Sequence, residues 1–296
     1  MHVTISIINF NYGRYLKQAI ESALFQKVHD DCVIDVLIID DGSTDESDEV
    51  VEFYRQYTNL KVSKTENRGF AASLTRAITE AKGEYVFLMD ADDYFKDDKV
   101  SEMLPYFEQG SLYVTDTSSY IDKNGAPLSG GAWGSTSTVA VLKSAVMPLL
   151  PVENEMSFFS LHKLNRGIVL PESYTYYRFH DNSMTNRTIP GKWKTYLAGV
   201  SLNLSNRLCD ISKSSSLPEW GASASKIRSV ANEFLSQSYY NRLEASLECR
   251  QFSSAYKNYF LMMYWQLKAK KKISLFHLKM TAKTLMLRPS VEKNKS

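Results

Sequence analysis

The sequence has little of what would mark a disulfide-stapled or membrane-spanning protein. Only three cysteines, Cys32, Cys209 and Cys249, occur in 296 residues, and they are far apart with no metal-ligand spacing. Such sparse cysteines exclude a disulfide framework and are typical of free thiols in the cytosol. No apolar run reaches the length that a membrane span needs. Because a predicted strand begins within a few residues of the N-terminus, we expect no signal peptide.

Net charge is also small, at +2, but the basic residues are unevenly distributed. Residues 257–296 contain ten Lys or Arg and one acid, Glu292, a formal charge of +9, and the preceding 256 residues carry −7. Phe260, Trp265 and Phe276 lie among these lysines, a composition that suits a helix on an anionic membrane. The alternative is that the apolar face packs on the rest of the chain. No nucleic-acid-binding motif accompanies the basic segment, which disfavours a nucleic-acid partner.

Apolar strands and amphipathic helices alternate through residues 3–95. The predicted order is β-α-β-α-β-α-β, which indicates a doubly wound α/β sheet. Ligands of such sheets bind beyond the carboxyl ends of the strands. After residue 188 helical spacing dominates, over residues 193–208, 224–247 and 252–287. We therefore predict an α/β domain at residues 1–188 and a basic, amphipathic helical region at residues 189–296.

A cluster of acids follows one predicted strand directly. The apolar run over residues 85–89 is followed by three carboxylates, those of Asp90, Asp92 and Asp93. A buried strand that ends in clustered acids is costly unless a cation binds there, and hard oxygen ligands suit Mg²⁺ or Mn²⁺. Acidic triplets also occur in solvated loops, so the pattern alone is weak. Phe10 and Asp41 fall at the carboxyl ends of two other predicted strands, and this convergence predicts a shared binding rim.

Five short segments occur in a recognisable order and spacing. They are residues 5–16, 40–45, 67–69, 83–93 and 177–180. Together they make residues 1 to about 185 resemble a family-2 glycosyltransferase with the GT-A fold, a mixed doubly wound sheet with a Rossmann-like nucleotide-binding half. The resemblance implies transfer of a sugar from a nucleotide-sugar donor, with a UDP-sugar favoured, usually with inversion at the anomeric carbon. The acceptor would be a saccharide or a lipid-linked molecule in cell-surface polysaccharide or glycolipid synthesis.

The resemblance also implies roles for particular residues. Phe10 takes the place of the aromatic that lies against the nucleobase, and Asp41 that of the acid that reads the base edge. Asp90 and Asp92 match the pair at the ribose and the metal-bound diphosphate. Asp92 and His180 are the implied ligands of Mn²⁺ or Mg²⁺, although a histidine at position 180 can equally serve as a structural hydrogen-bonding group. The implied contacts to the nucleotide sugar are Phe10, Asn11, Asp41, Arg68, Asp90, Ala91 and Asp92.

Two departures from the family pattern affect this assignment. An arginine usual in the third helix is missing, and Arg68 or Arg76 would have to replace it. The acceptor-side motif, usually Glu-Asp, reads Glu153-Asn154-Glu155 here. Inverting transfer needs a base for the acceptor hydroxyl, and Glu155 is the expected base, with Glu153 as the alternative.

Two other readings of the whole chain stay open at this point. A nucleotidyltransferase would share the sheet and the metal, but it would need a Gly-rich phosphate loop with Lys or Arg after the first strand. A catalytically inactive sugar-binding or scaffold protein could have the same fold. As an enzyme, the chain is expected in the cytoplasm, either free or bound peripherally to the cytoplasmic face of the inner membrane through its basic region.

Overall fold

The computed structural model describes residues 1–180 and 189–269. The chain divides into two compact units. The first comprises Met1–Asp181 and Pro218–Gly221, and the second comprises Asn182–Leu217 and Ala222–Ser296. The boundary predicted at residue 188 falls at the edge of a segment outside the described residues, so it stays a prediction.

The strands of the first unit form two sheets. They are β1 (His2–Asn9), β2 (Val33–Asp40), β3 (Leu60–Lys64), β4 (Tyr85–Asp90), β5 (Tyr94–Phe95), β6 (Tyr113–Thr115), β7 (Ser118–Ile121), β8 (Val139–Leu142), β9 (Gly167–Val169) and β10 (Thr175–Arg178). The larger sheet has the order β3-β2-β1-β4-β8-β6-β9, and the smaller has the order β5-β10-β7. β3, β2, β1 and β4 are parallel, whereas β8 runs antiparallel to β4 and β6. This order confirms the predicted doubly wound mixed sheet.

Three helices, α1 (Gly13–Leu24), α2 (Ser47–Phe53) and α3 (Phe70–Thr79), connect the parallel strands β1 to β4. The other helices of the first unit are α4 (Lys99–Glu108), α5 (Lys143–Val146) and α6 (Phe159–Lys163). Three short 3₁₀ helices lie at Thr136–Thr138, Met147–Leu149 and Glu155–Ser157. The apolar stripe of α1, with Leu16 and Ile20, packs into the same core as Ile5 and Ile7 of β1. Burial on both faces explains why the central strands are almost continuously apolar.

Strand register brings the ends of β1, β2 and β4 to one edge. Asn9 lies opposite Asp40, and Ile8 lies opposite Asp90. Close packing fixes this alignment at the other end, because a Cβ on Gly83 would lie 2.5 Å from the backbone nitrogen of Thr4. The residues that follow these three strands therefore start from the same edge of the sheet, as the sequence predicted.

The second unit is helical. Its helices among the described residues are α7 (Lys192–Ile211), α8 (Ala224–Glu248) and α9 (Phe252–Lys268). Serines sit where these helices touch: Ser238 donates to the Ala198 carbonyl at 2.8 Å, and Ser236 donates to the Met262 carbonyl at 3.0 Å. The predicted helical stretch 252–287 is present as α9, and its residues 270–287 lie outside the described part. Within residues 1–180 and 189–269, no helix combines the length and apolar character that crossing a membrane requires.

Candidate active site

A buried polar network joins the loops after β1 and β2. Asn9 Nδ2 donates to Asp40 Oδ2 at 2.8 Å, and Asp40 Oδ1 accepts from the backbone N–H of Gly42 at 3.0 Å and of Ser43 at 2.8 Å. Ser43 Oγ accepts in turn from the Asn11 N–H at 2.9 Å. Because these hydrogen bonds join the residues at the ends of β1 and β2, the two loops form one rim.

Phe10 and Asn11 lie on this rim in different ways. Asn11 adopts a φ of 58°, and its Oδ1 accepts from the Thr44 N–H at 2.8 Å, so its side chain is used within the loop. Phe10 remains 42% exposed. An exposed aromatic face beside a strand end suits the stacking role predicted for Phe10.

Asp41 is buried and orders the loop that precedes α3. Its two carboxylate oxygens accept from the backbone N–H groups of Arg68 and Gly69, each at 2.8 Å. The Arg68 side chain is exposed. Arg76 instead donates to Glu80 and to β3 from its place on α3. Of the two candidate arginines, only Arg68 is therefore exposed to solvent.

The three predicted acids converge after β4. Asp90, Asp92 and Asp93 each offer a carboxylate oxygen, and these oxygens lie within 4.8 Å of one another. Burial raises the pKa of Asp90 well above its ordinary value, and the charges of Asp92, Asp93 and Glu155 raise it further. Burial and Asp92 likewise raise the pKa of Asp93. Such crowded acids favour protonation or a bound cation.

Asp93 has a structural role within the cluster. Its Oδ2 accepts from Ser137 Oγ at 2.6 Å, and its Oδ1 accepts from the Arg178 backbone N–H at 2.8 Å. Ser137 Oγ also accepts from the Asp90 N–H at 3.0 Å. The Arg178 guanidinium donates to the Asp92 carbonyl at 2.8 Å, which holds the acidic loop from the other side. Both carboxylate oxygens of Asp93 therefore accept hydrogen bonds from these neighbours. The Asp92 carboxylate contacts His180 instead.

His180 contacts the acid expected to bind metal. Its Nε2 lies 2.8 Å from Asp92 Oδ2, and its side chain is almost fully buried. The ring is flanked by Tyr12 and Tyr15, with centroids at 5.4 and 5.3 Å. Burial raises the pKa of Tyr12, and the charges of Asp92 and Asp90 raise it further, which places the phenol close to the cluster. The structure thus brings His180 to the predicted site as a partner of Asp92.

Glu155 lies close enough to the cluster for its charge to raise the pKa of Asp90. It opens a 3₁₀ helix that Asn154 caps by accepting from the Met156 N–H at 3.1 Å. Burial raises the pKa of Glu155 to about 7, and a hydrogen bond with the Thr136 side chain opposes this shift. The Thr136 side chain likewise opposes the rise in the pKa of Asp90. Thr136 therefore influences the pKa of both Asp90 and Glu155.

A buried ion pair beneath the site was not predicted. Lys99 Nζ lies 2.9 Å from Asp116 Oδ1, and both side chains are fully buried. The ammonium also donates to the Ser137 carbonyl and to Thr175 Oγ1, each at 2.7 Å. Burial lowers the pKa of Lys99, and Asp116 opposes that shift. In the sequence these residues look like ordinary charges at the ends of a helix and a strand, and no pattern pairs them.

Comparison with known families accounts for this arrangement. The model of Glycosyl transferase family 2 matches residues 4–179. An uncharacterized glycosyltransferase of Nostoc sp. is 34% identical over 114 residues, which are 38% of this chain and 34% of that protein. Chondroitin synthase of Escherichia coli is 30% identical over 134 residues, 44% of this chain and 19% of that protein. The matched part of this chain thus spans about a third or less of these curated relatives.

Solved structures share the fold. Residues 1–349 of S. aureus TarS in complex with UDP-GlcNAc align over 98% of this chain and 82% of that one, with a TM-score of 0.60 and 18% identity. A mannosyltransferase from Pyrobaculum calidifontis in complex with GDP-Man and Mn²⁺ aligns over 97% of this chain and 88% of that one, with a TM-score of 0.50 and 13% identity. These similarities confirm a GT-A architecture.

The buried state of Glu155 predicts a stability change that depends on pH. Its folded pKa of about 7 exceeds the ordinary value of 4.5, so the folded protein retains a proton that the unfolded chain releases. The stability from this group is present at low pH and is lost as pH rises through about 7. We predict that Glu155→Gln raises the Tm at pH 8 and changes it little at pH 5, measured by calorimetry at both pH values. An equal gain at both, or the same pH-dependent gain from Glu153→Gln, would contradict this.

Proposed function

Because this chain belongs to Glycosyl transferase family 2, we propose that it transfers a sugar from a UDP-sugar to a saccharide or lipid-linked acceptor, with inversion at the anomeric carbon. The observation that carries the proposal is the acidic cluster of Asp90, Asp92 and Asp93 after β4, together with Glu155, whose charge raises the pKa of Asp90. An acid for the donor side with a candidate base near it would suit inverting transfer. Matches to polysaccharide synthases, among them hyaluronan synthase of Pasteurella multocida at 31% identity over 132 residues, support a role in cell-surface polysaccharide or glycolipid synthesis.

The acidic cluster fits Mn²⁺ or Mg²⁺. The raised pKa values of Asp90 and Asp93 report crowded, buried carboxyl groups that a divalent cation would compensate. Since Asp93 is engaged by its neighbours, Asp92 would be the main ligand. Asp90 would receive the ribose hydroxyls or a water on the metal, and His180 would orient Asp92 or join it as a ligand. A divalent cation held by Asp92 would supply positive charge to a diphosphate leaving group.

Glu155 would accept the proton of the acceptor hydroxyl. A base works best when its pKa lies near the operating pH, and the burial of Glu155 sets its pKa at about 7. The opening of the 3₁₀ helix holds the carboxylate in place, because Asn154 fixes the backbone there. The 3₁₀ helix Glu155–Ser157 thus fixes the position of Glu155 at a place where burial raises its pKa.

The nucleotide would lie on the rim formed after β1 and β2. The exposed Phe10 ring offers a stacking face for the base, and Asp41 lies at the end of the next strand. Each Asp41 oxygen accepts one backbone N–H, and a carboxylate has lone pairs for more, so a uracil N3–H can still be accepted. Asn11 and Ala91 would contribute backbone around the nucleotide, and Arg68 would face the phosphates. TarS, whose fold is the more similar of the two solved structures, binds UDP-GlcNAc.

We further propose that α9 holds the enzyme on the cytoplasmic face of an anionic membrane, near a lipid-linked acceptor. One side of α9, with Ala255 and Met262, packs on α8. The other side exposes Phe260, Tyr264 and Leu267, each 51–67% accessible. They form an apolar stripe at helical spacing, and Lys257 and Lys268 stand at its two ends. This pattern suits an interfacial helix. Phe276 and most of the basic residues lie outside the described part.

We predict that turnover requires a divalent cation and Asp92. Release of UDP from a panel of UDP-sugars should stop when the metal is chelated and return with Mn²⁺ or Mg²⁺. Asp92→Asn should abolish this turnover with little loss of stability, because the amide keeps the size of the side chain and removes one charge from the crowded acidic cluster. Asp48→Asn, which changes an exposed acid on α2, serves as the control. Full activity in chelator would contradict the metal role, and no turnover with any nucleotide sugar would favour a non-enzymatic protein.

Glu155→Gln should separate binding from transfer. The amide keeps the shape of the side chain and cannot accept the proton, so donor affinity should persist while transfer falls by roughly 10²–10⁴. In the wild type, kcat should rise with pH through about 7 as the Glu155 carboxyl ionises. Steady-state kinetics across pH test both statements. A larger loss from Glu153→Gln would move the role of base to Glu153.

Calorimetry with nucleoside diphosphates tests which nucleobase the donor carries. We predict that UDP binds the Mn²⁺-loaded protein more tightly than GDP, CDP or ADP. Asp41→Asn should weaken the affinity for UDP by about tenfold, which corresponds to about 1.4 kcal/mol of binding free energy. Because Asp41 also orders the loop at Arg68 and Gly69, unchanged circular dichroism is required for the comparison. Tighter binding of GDP than of UDP would refute the assignment.

Vesicle co-sedimentation tests the membrane proposal. The full chain should bind vesicles that contain anionic phosphatidylglycerol and should dissociate as salt rises, since each Lys near such a surface contributes about 1 kcal/mol. Phe260→Ser with Leu267→Ser should weaken this binding without changing solution turnover. Phe53→Ser, an exposed aromatic on α2, is the matched control. Equal binding to neutral vesicles, or none to either kind, would contradict the proposal.

A further inference from the structure

One exposed indole packs on the segment that carries the predicted base. Trp133 is 48% exposed on the loop between β7 and the 3₁₀ helix Thr136–Thr138. Its ring contacts that of Phe159, the first residue of α6, four positions after Glu155. Phe10 and Asp41, the candidates for contact with the nucleotide, lie on other loops, after β1 and β2. Trp133 is therefore connected to the segment of Glu155 rather than to the nucleotide rim.

Backbone contacts hold Trp133 in this exposed position. The N–H of Ser118 on β7 donates to the Ala132 carbonyl at 2.7 Å, and Trp133 itself forms a β-bridge with Thr117. A Cβ on Gly131 would collide with the Ser118 carbonyl, so only glycine allows so close an approach. On the other side, the Gly134 N–H donates to Thr138 Oγ1 at 2.9 Å. These contacts fix the backbone on both sides of Trp133 while its indole stays exposed.

Aromatic side chains connect Trp133 to Glu155. The Trp133 and Phe159 rings have centroids 5.2 Å apart, and Phe159 meets Tyr113 edge-on at 6.2 Å. Burial raises the pKa of Tyr113, and the charge of Glu155 adds to that shift, so the phenol lies near the carboxyl group. His162 stacks on Phe159 at 4.9 Å. Phe159 is therefore covered by neighbours and supports Trp133, whose own surface stays open.

We propose that Trp133 is the stacking platform of an acceptor subsite, and that it binds a saccharide ring whose hydroxyl points toward Glu155. This inference rests on the proposed glycosyl transfer and specifies its acceptor. One face of a pyranose presents C–H groups that pack on an aromatic ring, while its edge presents hydroxyls. Trp133 offers one such ring among glycines and serines, from Ser129 to Ser135. A lipid chain would need a wider apolar patch.

Kinetics with separate donor and acceptor terms test the platform. Trp133→Ala should raise the acceptor KM by about tenfold, equivalent to about 1.4 kcal/mol. It should leave unchanged the donor KM and the slow hydrolysis of donor by water. Trp133→Phe should restore most of the acceptor affinity, and Phe53→Ala on α2 should have no effect. An unchanged acceptor KM in Trp133→Ala, or an equal loss of donor hydrolysis, would overturn the proposal.

A binding measurement separates failure of the platform from failure of the proposed enzyme. The full chain labelled with 5-fluorotryptophan is titrated with methyl glycosides of glucose, galactose, N-acetylglucosamine and N-acetylgalactosamine, and with their β-linked disaccharides. The Trp133 resonance, assigned by its loss in Trp133→Phe, should shift with at least one of them. A shift without any turnover would uphold the subsite and refute the transferase. Turnover without any shift would refute the subsite alone. If the protein shows no turnover and no shift, both the subsite and the transferase are refuted.

Discussion

Repulsion among buried carboxylates at one edge of the sheet is the constraint on which this structure depends. Two unit charges 4 Å apart interact with about 4 kcal/mol at the effective dielectric of a protein surface. That is a large share of the 5–15 kcal/mol that typically stabilises a domain. Carboxylate oxygens of Asp90, Asp92 and Asp93 lie within 4.8 Å of one another, and the charge of Glu155 raises the Asp90 pKa further. A fold that keeps these acids together must supply compensating hydrogen-bond donors, protons or a cation.

The compensation is built from residues distant in sequence. Ser137 and the Arg178 backbone satisfy Asp93, and the Arg178 guanidinium holds the Asp92 carbonyl. Beneath them Lys99 holds the Ser137 carbonyl and is itself neutralised by Asp116. The short stretch from Trp133 to Ser137 thus combines an exposed indole with a serine that supports the acidic loop.

The sequence predicted the elements that have a local pattern. Alternating apolar strands and amphipathic helices indicated the sheet, and Asp90, Asp92 and Asp41 were placed at strand ends by position alone. It could not predict contacts that join distant segments, such as Lys99 with Asp116 or Ser137 with Asp93, because no periodicity marks them. The hydrogen bond of Arg76 to β3, which leaves Arg68 as the exposed candidate, is another such contact. Asn154, which looked like a defect in the acceptor-side motif, caps the helix that carries Glu155. The roles assigned to these residues in binding and transfer stay predictions.

A crystal structure of the protein with UDP and Mn²⁺, collected at a wavelength where manganese scatters anomalously, would locate the metal and the nucleotide together. We expect an anomalous peak at coordination distance from an Asp92 carboxylate oxygen and from the diphosphate, with uracil against Phe10 and with Glu155 facing the β-phosphate across the space that the sugar would occupy. An anomalous peak away from Asp92, or ordered UDP bound without a metal at the acidic cluster, would contradict this expectation.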